Sequence, residues 1–365
     1  MMPSGSVPRT PSEAAVVGDR ILLILVAGIG DFVLATPAIR AIRRGFPEAD
    51  ITLLTTPQTE NLARACPYFH DVVTFDLRRY RPGEQGGGWG GWRRFREVTT
   101  ELRRRRFALA VDLYQVVSWT GAARMALLLL RIGAQRTAGR WSSGRGVIFD
   151  VRSTDTLHEM EAMLGLAATL GGRPDDTGPT LWIPAASRQT AAEHLRISGI
   201  AHASRYMVLH VGSNRPEARL PEDKAAAIGM AIRCATNLPV ILIGDKAEAP
   251  LTERLAAKIG GGSRSLAGQT DLLELAAILE GAHAAVTMDS GPMHLAAAVG
   301  TPLVVLFGPA DPRRFGPRGR GGRIAILQGR ESPHDPARWH TDIRTDDVLD
   351  ALLTRVRDPR GPRGS

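Results

Sequence analysis

Two short segments carry residue types suited to chemistry on a phosphorylated substrate. In Asp289-Ser-Gly-Pro-Met-His294 an apolar strand ends at Thr287 and a helix is expected to open near Gly291 or Pro292. Proline in the first helical turn sacrifices none of the later hydrogen bonds. The free N–H groups of that turn suit a phosphate, and Ser290 would add a hydroxyl. Asp289 is a poor phosphate contact, so it reads as an acceptor of hydrogen bonds from a sugar. The plainer alternative makes Asp289 or Ser290 a simple cap and His294 a core histidine.

The second segment is Gly28-Ile-Gly30-Asp31. Its glycines permit close approach of another molecule to the backbone. A carboxylate at a strand end, facing a cleft, suits removal of a proton from an attacking hydroxyl. Asp31 as an ordinary helix cap is the alternative. The third glycine of a dinucleotide loop is missing, Val33 standing in its place, and the next strand ends in Thr55 and Thr56 where an acid would be usual. A nicotinamide or flavin cofactor is therefore not expected.

Two further strand ends repeat the pattern. His210-Val-Gly-Ser-Asn-Arg215 places Gly212, Ser213 and Asn214 after an apolar run, where they could complete a diphosphate cradle. Arg219 could offset charge on a leaving group or be a surface arginine. In Gly244-Asp-Lys-Ala-Glu248, Asp245 or Glu248 could accept from ribose hydroxyls. Asp-x-Asp and His-Glu-x-x-His are absent, which disfavours an obligatory metal. Gly-x-Ser-x-Gly and the Gly-Lys-Ser/Thr phosphate loop are absent as well, against serine-hydrolase and P-loop readings.

The elements that must hold these residues alternate. Arg20–Val26 is a continuous apolar strand, followed by a helix over Phe32–Arg44 with a second possible start at Thr36-Pro37. Strands Asp50–Thr55, Val72–Phe75 and Phe107–Val111 are separated by helices Glu60–Ala65 and Phe95–Arg105, and Arg78–Trp92 reads as a glycine-rich loop. Leu157–Leu170 is a helix, and Gly171–Pro179 is the best linker. The pattern then restarts, with strands Met207–Val211, Pro239–Ile243, Ala284–Thr287 and Leu303–Phe307. Helices Pro221–Thr236, Leu251–Ile259, Asp271–Leu279 and Met293–Val299 accompany them.

The fold class is therefore α/β, two successive open sheets with a cleft between them. The expected organisation is a flexible tail at residues 1–19, a first domain at 20–175, and a linker with the start of the second domain at 176–204. The second domain follows at 205–345, then a last helix at 346–356 and a disordered basic tail at 357–365.

The chain has 365 residues, 44% of them hydrophobic, enough for two domains with separate cores. Two cysteines far apart disfavour a disulfide framework or a cysteine-rich zinc site and favour a reducing compartment. No apolar run is long enough to span a bilayer and the first residues lack an export signal, so a soluble protein is expected. The net charge of +9 is arginine-borne, grouped at 103–106, at Arg313, Arg314, Arg318, Arg320 and Arg323, and in the tail. Such clusters could face anionic lipid or a phosphorylated substrate, or form an ordinary solvated surface. Zinc-finger and RNA-binding signatures are missing, so nucleic acid is not an expected partner.

These segments resemble those of the ADP-heptose:lipopolysaccharide heptosyltransferases (glycosyltransferase family 9). The matching pieces are Gly30-Asp-Phe-Val-Leu-Ala-Thr-Pro-Ala-Ile-Arg40, His158-Glu-Met-Glu161, His210–Asn214, Asp289–Ala298, Gly300-Thr-Pro302 and Phe307-Gly-Pro309. The resemblance spans about residues 20 to 317. It implies a GT-B arrangement of two facing Rossmann-like domains, the donor held by the second and the acceptor by the first. It also implies inverting transfer from a nucleotide sugar, ADP-heptose foremost, to a phosphorylated glycolipid or glycan acceptor of the lipopolysaccharide core. On this resemblance Asp31 matches the general base, and Asp289, Ser290, Gly291 and His294 match the donor segment. No cofactor or metal is implied, and the site of action is the cytoplasm, with peripheral contact at the inner membrane. One departure stands out: where the family often has Lys-x-Trp-Pro, this chain reads Ala218-Arg219-Leu220-Pro221. The other readings left open are a nucleotide-sugar epimerase of similar shape and a non-catalytic nucleotide-sugar or carbohydrate-binding protein.

Overall fold

The structure, a computed structural model, describes residues 20–75, 89–154, 156, 158–201, 204–213, 218–308, 310–319, 323–329 and 336–357. The expected tail at 1–19, the expected tail at 357–365 apart from Arg357, most of the glycine-rich loop and Asn214 lie outside these residues.

Strands β1 (Arg20–Leu25), β2 (Asp50–Thr55), β3 (Asp71–Thr74), β4 (Leu109–Asp112), β5 (Arg136–Arg140) and β6 (Val151–Ser153) form one all-parallel sheet in the order β3-β2-β1-β4-β5-β6. Helices α1 (Ile29–Gly45), α2 (Glu60–Ala65), α3 (Trp89–Arg104), α4 (Trp119–Ile132) and α5 (Glu159–Thr169) connect and flank it. After α6 (Ala185–Ile197) come β7 (Met207–His210), α7 (Glu222–Thr236), β8 (Val240–Ile243), α8 (Ala249–Ile259), β9 (Arg264–Ser265) and α9 (Leu272–Gly281). They continue into β10 (Ala284–Met288), α10 (Gly291–Val299), β11 (Leu303–Phe307), α11 (Pro312–Phe315), β12 (Ile324–Gln328) and α12 (Thr345–Arg357). This second sheet, also parallel, runs β12-β11-β10-β7-β8-β9. Both sheets thus reverse direction between their first and fourth strands, the crevice where open α/β sheets bind ligands.

The continuous apolar strands follow from burial on both faces: Ile21 to Leu25 of β1 and all of β10 are inaccessible to solvent. One apolar cluster runs from Leu23 and Ile39 in the first layer into Val208 and Leu295 in the second, so the two sheets are packed together through α1 and α10. Helix α1 begins at Ile29, three residues before the expected start, and Pro37 lies inside it. The proline leaves the Val33 carbonyl without its helical donor; the Thr36 hydroxyl donates to that carbonyl instead, at 2.7 Å. The Gly171–Pro179 linker is tied down: the Arg40 guanidinium forks onto Asp175 at 2.9 and 2.7 Å and also donates to the Gly178 carbonyl. That pair holds the Asp175 carboxyl well below the usual carboxylate range.

Several expectations need correction. Residues 89–92 begin α3 instead of ending a loop, and the last helix extends to Arg357. Strands β5, β6, β9 and β12 and helix α6 were not anticipated. β5 reads Arg-Thr-Ala-Gly-Arg, with neither an apolar run nor clean alternation, and its pairing is set by β4 and β6 on either side.

Candidate functional site

The two segments singled out first lie far apart in sequence and meet in space. The first turns of α1 and α10 are opposed so closely that a Cβ on Gly30 would stand 2.5 Å from the His294 ring. A Cβ on Gly291 would stand 3.0 Å from Ile29. Glycine is needed at residue 30 because a histidine ring of the other domain fills the space, and not for its φ.

Beside this contact opens a cleft of about 330 Å³, lined by Ile29 and Gln58 from the first layer and otherwise by the second. The strand-end loops supply His210, Gly212 and Ser213 after β7, Gly244, Asp245, Lys246 and Glu248 after β8, and Ser290 and Gly291 after β10. Three of the loops that sequence reading picked out therefore share one cavity wall. Ser290 is the residue before α10, so free N–H groups of that helix's first turn border the cleft. Its hydroxyl also lies 3.2 Å from His210 Nδ1.

Burial sets the charge states here. His210 is pushed down to about 4 by burial, so the ring is neutral at neutral pH. Glu248 folds back over Gly212, where a Cβ would overlap its carboxylate, and takes the Asp245 N–H at 2.9 Å while Asp245 takes the Glu248 N–H at 2.9 Å. Burial raises the Glu248 carboxyl, opposed by the Asp245 hydrogen bond and the charge of Arg219. Arg219 is exposed, and its Nε donates to the Ser213 carbonyl at 2.9 Å, bracing the loop after β7.

Asp31 occupies the third position of α1 and accepts the Gly28 N–H at 3.0 Å. It thus does what a cap does, while its charge reaches Tyr114 beyond β4. Burial first, then the Asp31 and Glu159 carboxylates, push the Tyr114 phenol up to about 12. Asp289 is half-buried, its N–H donating to the Leu306 carbonyl at 3.2 Å. His294 is buried against Gly30; burial and the nearby His158 hold it down to about 3. Neither Asp289 nor His294 lines the cleft wall.

Sequence reading assigned no role to Lys246, whose only signal was its place two residues beyond a strand, nor to Gly268 and Thr270, which also line the cleft. It also missed an ionic junction between the layers. Arg140 donates to Glu159 at 2.5 Å with both side chains about 1% exposed, and Arg314 from α11 donates to the other Glu159 oxygen at 2.9 Å and to Gln115. His158 accepts the Met160 N–H on Nδ1 at 3.2 Å, which leaves Nε2 protonated to donate to the Gly316 carbonyl at 3.0 Å. The His158-Glu-Met-Glu161 segment is the first layer's half of this junction, and Arg318 pairs with Glu161 at 3.0 Å.

Among the described residues no group of three or more His, Cys, Asp or Glu side chains is gathered to hold a metal ion. None of their helices is long and apolar enough to cross a membrane.

The sequence pattern of glycosyltransferase family 9 (heptosyltransferase) matches residues 96–338. Lipooligosaccharide heptosyltransferase 2 of Haemophilus ducreyi is 24% identical over 369 aligned positions, covering 91% of this chain and 98% of that protein. Among solved structures, the glycosyl transferase family 9 protein of Veillonella parvula superposes with a TM-score of 0.75 at 19% identity, covering 93% of this chain and 97% of that one. The ADP-heptose lps heptosyltransferase II of E. coli gives a TM-score of 0.72 at 20% identity, over 92% and 98%. The two Rossmann-like sheets and the cleft between them are the GT-B arrangement of those structures, and with the family's pattern running through both domains this chain belongs to glycosyltransferase family 9.

Proposed function

We propose that this chain transfers heptose from ADP-heptose, with inversion and without a metal ion, to a lipopolysaccharide core or related glycan acceptor. The observation that carries the reading is the close approach of the α1 and α10 N-termini, Gly30 against His294 and Gly291 against Ile29; Asp31, the residue after Gly30 in α1, is the carboxylate that this reading makes the base. Family membership and the heptosyltransferase names of the relatives support the sugar class.

In this reading the acceptor enters on the first-domain side, past Tyr114 and Gln115. Asp31 takes the proton from its hydroxyl. The oxygen attacks the anomeric carbon from the face opposite the diphosphate, the new carbon–oxygen bond forms, and the bond to the phosphate oxygen breaks. The departing nucleoside diphosphate keeps that electron pair. Its charge is met by backbone N–H groups at Ser290–Gly291 and Gly212–Ser213, with Lys246 and Arg219 as the cations beside it. Lys246 on the β8 loop supplies an ammonium that Ala218 does not. Asp245 and Glu248 shape the donor side, and Asp289 and His294 belong to the segment that presents Ser290 and Gly291 to it. The enzyme would act in the cytoplasm, touching the anionic inner face of the inner membrane.

Asp31→Asn is the test. Donor binding by calorimetry should persist while transfer, followed by mass spectrometry of products, falls by about 100-fold or more. Unimpaired turnover would remove Asp31 as base. A matrix of ADP-, GDP- and UDP-sugars decides the donor, and product formed without acceptor would mark an epimerase instead.

A further inference from the structure

Helix α4 is apolar on both sides. Met125, Leu128, Leu129 and Ile132 are buried against the first sheet, as an amphipathic helix requires. The opposite face should then be polar, yet it carries Trp119, Ala123, Leu127 and Leu130, all exposed and spaced to form one stripe. Trp119 is 65% exposed and Leu130 74%. The stripe continues off the helix. Val117 just before it is 62% exposed, and Val147, in the 3₁₀ turn that packs on α4, is 55% exposed. Trp141 lies exposed under the Arg152 guanidinium, 5.2 Å from its ring centre.

The charges on α4 and on the 3₁₀ turn packed against it are all positive, and the exposed Asp150 beyond that turn is held by the Thr137 N–H and hydroxyl at 2.8 Å. The only ionisable residues of α4 are Arg124 and Arg131, the neighbouring turn carries Arg145, and Arg103 reaches the Arg131 carbonyl at the helix C-terminus. Exposed tryptophan and leucine flanked by arginine are the composition of a helix lying in a headgroup layer, the apolar side facing the acyl chains and the cations facing lipid phosphates. The surface is also continuous with the acceptor side. Val117, Gly121, Arg124 and Met125 line a cavity of about 130 Å³ together with Asp112, Tyr114 and Gln115 at the end of β4.

We propose that the exposed face of α4, with Val117, Trp141 and Val147, seats the first domain in an anionic phospholipid surface. This rests on the reading above that the acceptor is a membrane-borne glycolipid. Seated there, the enzyme has the acceptor-side cavity at the bilayer, and a headgroup glycan reaches towards Asp31 while its lipid stays in the membrane.

The test uses the full chain and sedimentation with vesicles of phosphatidylglycerol and phosphatidylethanolamine, or of phosphatidylcholine alone. The wild type should bind the anionic vesicles and lose that binding at high salt. Trp119→Ser/Leu130→Ser should weaken it by about tenfold or more. Arg131→Gln should weaken it less, and only at low salt. The thermal melt of each variant, and transfer to a soluble delipidated acceptor, should match the wild type. Vesicle binding unchanged in the double variant would overturn the assignment, as would a wild type indifferent to anionic lipid. A dimer that dissociates in the double variant with no change in vesicle binding would make this face a protein interface instead. If vesicle binding maps to α4 but no glycan acceptor is glycosylated, the surface stands and the transferase reading fails.

Discussion

Gly30→Ala perturbs the contact on which the site depends, and its effect can be worked from the structure. The added methyl would stand 2.5 Å from His294 Cδ2 and 2.9 Å from Nε2, inside any tolerable carbon contact. The ring cannot easily retreat, because His294 is itself buried at the start of α10 and Ile29 is pressed against Gly291 one turn away. Overpacking of this kind costs about 1–3 kcal/mol. Part of that is relieved by sliding α1 away from α10 by a few tenths of an ångström to one ångström, which carries Asp31 with it. With Asp31 as the proposed base, a displacement of that size lowers turnover by about 100-fold. Steady-state kinetics with donor and acceptor, alongside donor calorimetry and a melt, would separate the two effects: kcat should fall far more than donor affinity. Adding His294→Ala removes the ring that the methyl strikes, so the double variant should recover part of the loss. If Gly30→Ala turns over and melts like the wild type, or if His294→Ala deepens the defect, the opposed helix termini do not set the geometry of the base.

Glu159→Gln should destabilise by about 3 kcal/mol, because Arg140 would remain buried with its counter-charge removed; urea unfolding that matches the wild type would show that the pair is dispensable. Stability should also fall in mild acid. Burial holds His210 and His294 at about 4 and about 3, against 6.5 for a free ring. Below about pH 6.5 the unfolded chain therefore binds protons that the folded one refuses, so stability is full above that value and is lost as pH falls towards the folded values. Each ring accounts for about 2 kcal/mol by about pH 5. A urea midpoint that stays flat between about pH 7.5 and about pH 5 would contradict the burial of the two rings as neutral groups.

Much of the frame was legible because it rests on local rules. Short apolar runs such as Ile21–Leu25 and Leu303–Phe307, too short for helices and followed by glycine or small polar residues, suit strands buried on both faces. That was enough for two open α/β sheets and for the strand-end loops at residues 28–31, 210–213, 244–248 and 289–291. It failed at β5, where Arg140 points inward because Glu159 waits there, a partnership with no pattern in sequence.

The sequence by itself determined the alternation of strands and helices and singled out the strand-end loops as candidates for anion binding, with Asp31 as the candidate base. Only the tertiary structure decided that Gly30 faces His294, that Lys246 stands in the cleft near Ser290, and that the second face of α4 has nothing packed on it from the described core. Helix and strand formation depends on neighbours a few residues away, whereas Gly30 and His294 are 264 positions apart and Lys246 and Ser290 are 44 apart. The first contact exists because two sheets of the same strand order are packed through α1 and α10, and the second because the loops after β8 and β10 end on the same edge of one parallel sheet.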